Sequence, residues 1–219
     1  MPLPDYGAMR SVPLIRLALL FAAPIGAVAL APAAIAQPGG EIAQVREHLR
    51  AADTMTARFS QTDRTGKVLT GTLTMKRPGR VRFQYQEGVP YLIVADGKAL
   101  TFIDYSVAQV QRWPIGNSPL GVLLNPDRDL NGIASVVDSG DSRLLSVRAR
   151  DPKHPEYGTI TLIFARDPAA PAGLMLQGWV ALDSQGNRTT IRLSDQRYGV
   201  SVADETFRWR DPRRNGNRR

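Results

Sequence analysis

Cysteine is absent from all 219 residues of the chain. That excludes disulfides, thiolate metal sites, a cysteine nucleophile and a lipid-modified N-terminal cysteine. Histidine is scarce, at two residues. His48 falls in a helical segment and His154 in a loop between prolines, and neither has partners at metal-ligand or triad spacing. No G-x-S-x-G, P-loop or G-x-G-x-x-G occurs. Asp96, Asp104 and Asp183 sit in or beside turns, where a carboxylate ordinarily caps backbone N–H groups. The expectation is a protein that is not an enzyme and that uses neither metal nor cofactor. Long apolar runs are missing as well. Leu17–Leu30 is interrupted by Pro24 and Gly26 and is too short to span a bilayer well.

That run is preceded by Arg10 and Arg16 and followed by Ala34-Ile35-Ala36 before Gln37. A basic region, a short apolar region and an A-x-A site read as a secretory signal over residues 1–36, with Met9 as an alternative start. Removing it leaves 219 − 36 = 183 residues, enough for one domain with a substantial core. The segment holds two arginines and one aspartate, so the mature charge is (28 − 2) − (20 − 1) = +7. Such a charge favours encounter with anionic membranes or acidic partners.

What is present is alternation. Glu41–Ala52 has helical spacing, with Ile42, Val45 and Leu49 on one face. From Met55 onward the period changes to two, and strands are predicted over 55–62, 68–76, 80–86, 91–95, 99–104 and 107–113. Pro78-Gly79 and Asp96-Gly97 mark turns between them. The stretch Lys76–Tyr85, KRPGRVRFQY, sets Val81, Phe83 and Tyr85 on one face and Arg80, Arg82 and Gln84 on the other. The pattern breaks at 117–137. There Ser118 can cap a short helix with Pro119 in its first turn and Leu120, Leu123 and Leu124 as its apolar face. Asp127 or Asp129 can start a second short helix burying Leu130, Ile133 and Val137. Strands resume over 143–150, 159–165, 173–183, 188–194 and near 206–209, and Asp211–Arg219 is too polar to pack. The fold class is mainly β with a few helices: about eleven antiparallel strands in one curled sheet, whose apolar face the helices cover. One domain over 37–210 precedes a basic disordered tail, 211–219.

Two other classes are set aside on physical grounds. Arg82-Phe83 and Arg208-Trp209 put arginines on faces opposite the aromatics, which reads as a solvated outer face and not as a nucleic-acid surface. A membrane-spanning barrel needs longer strands with aromatic girdles.

The motif series resembles the periplasmic outer-membrane lipoprotein carriers of Gram-negative bacteria, the LolA-like family. It runs through Phe59-Ser-Gln61, Gly71-x-Leu73, Lys76-Arg77-Pro78 with Arg82-Phe83-x-Tyr85, and Asp96-Gly97-x-x-Leu100. It continues through Asp104, Gln109, Pro119-x-x-x-Leu123-Leu124, Gly186-Asn187-x-Thr189 and Phe207. The resemblance implies an eleven-stranded, incompletely closed β-barrel with a helical lid over an apolar cavity. It implies a carrier that takes triacylated lipoproteins from an inner-membrane ATP-driven exporter to an outer-membrane acceptor or to the membrane itself. Arg77 falls on the arginine that in the family latches the lid of the empty carrier. Phe83 stands where a tryptophan is common, and Val81 where some members use a phenylalanine against the exporter.

Physics asks for such a lid. Burying an acyl chain is worth about 0.8 kcal/mol per CH₂, roughly 10 kcal/mol for one long chain, so a lipoprotein neither crosses water alone nor leaves a bare cavity easily. If lid residues fill the empty cavity, net affinity becomes the difference between two burials. The expected cavity lining is Leu73, Met75, Val81, Phe83, Tyr85, Leu92, Val94 and Phe102, with ordinary core packing as the competing reading of the same residues. A monomer is expected. A carrier of another lipid, such as a glycolipid or hopanoid, and an envelope-sensing module remain alternatives.

Overall fold

Alternating apolar and polar residues produce the expected strands in the computed structural model, which describes residues 38–117, 120–125, 127 and 129–213. All belong to one unit, Ala36–Arg219. The expected signal segment, the Ser118 cap with Pro119, and residues 214–219 of the expected tail lie outside the described residues.

Helix α1 (Pro38–Ala51) leads into β1 (Thr54–Thr62), β2 (Val68–Lys76), β3 (Arg80–Tyr85), β4 (Tyr91–Asp96), β5 (Ala99–Asp104) and β6 (Gln109–Pro114). A connection carrying α2 (Gly121–Leu124) follows. The second run is β7 (Ala134–Val137), β8 (Leu144–Arg150), β9 (Thr159–Arg166), β10 (Leu174–Leu182) and β11 (Arg188–Tyr198). All eleven strands form a single antiparallel sheet in the order β6-β5-β4-β3-β2-β1-β11-β10-β9-β8-β7. Each run is a meander, and the first and last strands pair to join them, from Met55 opposite Tyr198 to Thr62 opposite Thr190. β6 and β7 are left as the two open edges.

That topology places the lid. The chain between β6 and β7 must travel from one edge of the sheet to the other, so it crosses the inner face. Val122, Leu123, Leu124 and Leu130 from this connection join the core formed by inward residues of β1, β2, β3 and β8–β11 together with Val45 and Leu49 of α1.

The strand count agrees with the sequence reading, but the set differs at both ends of the second run. The expected second short helix is not a helix: residues 131–133 form a turn, and Ala134–Val137 is β7, paired with β8. In that strand Ala134 and Val136 pack against the core, so Val137 points to the opposite face and does not belong to a lid face. The expected strand near 206–209 is instead a 3-10 turn, Asp204–Phe207. It lies on the outer face of β3–β5, with Phe207 packed against Leu92, Val94 and Ile103.

The basic residues behind it are not a solvated face. Lys76 Nζ reaches Asp204 at 2.6 Å and the Val202 carbonyl at 2.7 Å. Arg80 meets the same Asp204 at 2.7 Å, and Arg82 donates to the carbonyls of Thr206 (3.2 Å) and Arg208 (3.0 Å). The Lys76 ammonium, with Arg80 beside it, holds the Asp204 carboxyl below its ordinary range. Burial pulls the Arg82 guanidinium below its usual value.

Candidate functional site

A cavity of about 310 Å³ opens on the inner face. Its floor is Phe83 from β3, Ile93 from β4, Leu100 from β5, and Trp179 and Ile191 from β10 and β11. Leu120, at the start of the α2 turn, and Trp113 of β6 close it from the lid side. Gln61, Asp183, Asn187 and Thr189 form a polar rim at one end. Packing of the floor is aromatic: Phe59 meets Phe83 edge-on at 5.4 Å, and Phe83 meets Trp179 at 6.1 Å. Gly71 makes this possible, because a Cβ there would lie 2.7 Å from the Phe59 ring and 2.2 Å from the Gln84 carbonyl oxygen. The Tyr85 hydroxyl donates to Gln61 Oε1 at 2.7 Å, and burial pushes its pKa up to about 12.

Of the expected lining, Phe83 and the lid residue Leu120 border this cavity directly. Leu73, Val81 and Tyr85 are buried on the same inner face as packed core. Met75, together with Leu123 and Leu124, borders a small void of about 30 Å³ near the Arg77 turn. Phe102 lies against Tyr91 at 5.6 Å, on the inner side but away from the cavity lining. Leu92 and Val94 are corrected: both point outward and are covered by Phe207. In β4 the inward positions are Tyr91, Ile93 and Ala95, fixed by the pairing of Val81 with Ala95 and of Phe83 with Ile93. Leu130 is 2% exposed and Ile133 is half-buried; both pack into the core from the connection, without a helix.

Sequence reasoning passed over Ile93, Leu100, Trp113 and Trp179. For Ile93, Leu100 and Trp179 the available signal was parity, because each stands two residues from another inward apolar residue in its strand (Tyr91, Phe102 and Ala181); Trp113 has only Gln111 at that spacing within β6.

Arg77 ties the β2–β3 turn to the C-terminal end of α1. Its Nη1 donates to the Leu49 carbonyl in the last turn of α1 at 2.6 Å, and its Nε lies 4.0 Å from Asp53. The Arg77 backbone N–H donates to the Asp53 carbonyl at 2.8 Å. A cation at a helix C-terminus also meets the favourable end of the helix dipole. The turn bearing Arg77 touches α2 as well, since a Cβ on Gly79 would sit 3.4 Å from the Leu124 carbonyl and 2.9 Å from Gly97. With φ at +64° the position favours glycine on conformational grounds too. α1 is tied to the connection by Arg46–Asp129 and Arg50–Asp127, both at 3.4 Å. Behind it His48 is 2% exposed, with Nδ1 2.9 Å from the Pro171 carbonyl and Phe164 and Tyr198 edge-on to its ring. Burial keeps its pKa below the ordinary imidazole value, so it sits neutral.

The cavity is lined mainly by apolar side chains, and the described residues hold no cluster of metal ligands. Residues 50–210 match the model of the family described as outer membrane lipoprotein carrier protein LolA. The outer-membrane lipoprotein carrier protein of Chromobacterium violaceum is 29% identical, over 89% of this chain and 93% of its own length. That of Dechloromonas aromatica is 28% identical, over 79% and 85%. Among solved structures, a LolA superfamily protein from Nitrosomonas europaea is 12% identical and overlays with a TM-score of 0.45, covering 78% of this chain and 97% of that one. The chain belongs to the outer membrane lipoprotein carrier family, LolA.

Proposed function

We propose that the protein is a non-enzymatic periplasmic carrier of triacylated lipoproteins bound for the outer membrane. It receives them from an inner-membrane ATP-driven exporter and delivers them to an outer-membrane acceptor or to the membrane directly, working as a monomer and without nucleic acid. The observation that carries the reading is the cavity of about 310 Å³ closed by apolar residues of a connection, whose neighbouring helix is held by one arginine. An acyl chain gains about 0.8 kcal/mol per buried CH₂, and displacing Leu120, Leu123 and Leu124 from their burial offsets part of that gain. The bound state is therefore stable in water yet still releasable to a membrane.

Native mass spectrometry of the protein purified from its own periplasm, with proteolysis of whatever is bound, tests this. An N-terminal triacylated cysteine peptide in the complex is the expected result. Free phospholipid, glycolipid or hopanoid as the sole occupant would keep the apolar cavity and overturn the lipoprotein assignment.

A further inference from the structure

The outer face of the sheet around β1, β11, β10 and β9 carries a cluster that the cavity does not use. Pairing places Arg148, Thr161, Val180, Thr190, Thr62 and Val68 in one row across the strands. The next row holds Ser146, Ile163, Gly178, Arg192, Ser60 and Thr70. Arg58 follows, opposite Ser194, and Arg188 stands opposite Leu182 at the far end. Arg58, Arg148, Arg188 and Arg192 are all exposed. None has a hydrogen-bond or ion-pair partner among the described residues.

Other arginines are paired with acids or carbonyls, among them Arg77, Arg80, Arg112 and Arg143. Here the rows contain no carboxylate. The bordering acids, Asp63 and Asp183, spend their oxygens on their own turns, accepting from Thr65 and Lys67 and from Gln185 and Asn187. Asp195 stands at the bulge beyond Ser194. Arg58 and Arg192 lie diagonally across neighbouring strands and face one depression lined by Ser60, Thr70, Thr72 and Ser194. Like charges so placed repel, and hydroxyl neighbours do nothing to neutralise them. Among the hydroxyl groups of these rows stand a few apolar side chains: Ile163 and Val180 are half-exposed, Leu182 is 38% exposed and Val68 54%.

We propose that this face docks on an anionic phospholipid surface, with the guanidinium groups on lipid phosphates and the short apolar side chains at the acyl boundary. Planar guanidinium forks match phosphate oxygens, and long cationic side chains around short apolar ones suit an interface between headgroups and chains. A polypeptide partner would need a groove or a free strand edge to fix its register. Every strand in this region is already paired on both sides, which favours a laterally uniform partner such as a membrane. The inference goes beyond the carrier reading and does not rest on cavity occupancy.

The test is sedimentation of the empty protein with vesicles of phosphatidylglycerol and phosphatidylcholine, against phosphatidylcholine alone, at low salt. Binding to the anionic vesicles is expected, weakening as salt is added. The double variant Arg58→Gln/Arg192→Gln should lower the partition coefficient by about thirtyfold, at about fivefold per arginine. A control with the same change in net charge, Arg112→Gln/Arg143→Gln, should bind like the parent. Equal loss in the control would assign the attraction to net charge and overturn the proposal. So would indifference to phosphatidylglycerol, or capture of polyglutamate without capture of vesicles.

Discussion

Replacing Arg77 with leucine should loosen the cover without unfolding the sheet. The guanidinium donates one short hydrogen bond, 2.6 Å to the Leu49 carbonyl, from a side chain that is 23% exposed. Hydrogen bonds to charged groups contribute about 1.5–3 kcal/mol. The low end applies, because Leu49 is in the last helical turn, where water can reach a freed carbonyl once the end frays. The Asp53 contact, at 4.0 Å and with an aspartate 84% exposed, adds little. About 1.5 kcal/mol multiplies the open population about tenfold, and an open-state ligand then binds with an apparent dissociation constant about tenfold lower. Titration of the purified protein with a fluorescent fatty acid reads this directly, with circular dichroism confirming an intact sheet. Arg77→Lys should fall between parent and Arg77→Leu, because an ammonium can still donate to the carbonyl but lacks the planar fork. A leucine variant with parental affinity, thermal midpoint and probe dissociation rate would refute the latch.

Phe207→Ala should destabilise the protein by about 3 kcal/mol, the low end for a buried phenylalanine, because it empties the outer pocket formed with Leu92, Val94 and Ile103. Thermal denaturation should show a midpoint lower by about 9 °C, and a change below about 1 °C would mean that the C-terminal segment does not seat there. Since burial holds the His48 pKa below 6.5, the unfolded chain takes up that proton first, and stability should fall as pH drops through 6.5 towards the folded-state value. The slope is at most about 1.4 kcal/mol per pH unit, and His48→Gln should remove it; an unaltered pH dependence of unfolding would reject the assignment. Leu120→Ala should tighten fatty-acid binding about fivefold, from about 1 kcal/mol of half-burial that the closed state loses and the open state does not. Weaker binding would place Leu120 against the ligand and not in its way.

The sequence made some parts of this molecule legible and hid others, for identifiable reasons. β1, β2 and β3 could be read because one of their faces is hydroxyl-rich or cationic, so period two appears in the letters. β4, Tyr-Leu-Ile-Val-Ala, is apolar on both faces, and its parity depends on which partner residue it opposes. The pairing of Phe83 with Ile93 sends Leu92 and Val94 outward, where Phe207 arrives from more than a hundred residues away. No local pattern could reveal that. The 134–137 strand was misread for a related reason: Leu130, Ile133 and Val137 do have helical spacing. Four residues of β7 are nevertheless pulled into the ladder by β8, from Ala134 opposite Ala149 to Val137 opposite Ser146, and tertiary pairing overrides so short a periodic signal. Arg77 was legible only through the motif. Its partner was not, because the Leu49 carbonyl is backbone, and any sequence in the last turn of α1 would present one.

The size of the cavity bears on how the lid must work. A methylene fills about the volume of one water in the liquid, ~30 Å³, so the cavity of about 310 Å³ holds about ten methylenes. One long acyl chain exceeds that, and three exceed it several-fold. Three acyl chains therefore need apolar lid residues to move, and Val122, Leu123 and Leu124, at 5–6% exposure, are the buried ones of the α2 turn. Because β6 and β7 are unpaired edges at the two ends of the connection, that segment can swing without breaking any strand pairing. α1 cannot move so freely, being fixed by Gln44 to Ala172 and by His48 to Pro171. The two ion pairs then lie at the boundary between a part that stays and a part that leaves, and the Arg77 bond holds α1, to which the connection is tied, against the β2–β3 turn. The energy needed to open is set there, while the sheet itself is left unchanged.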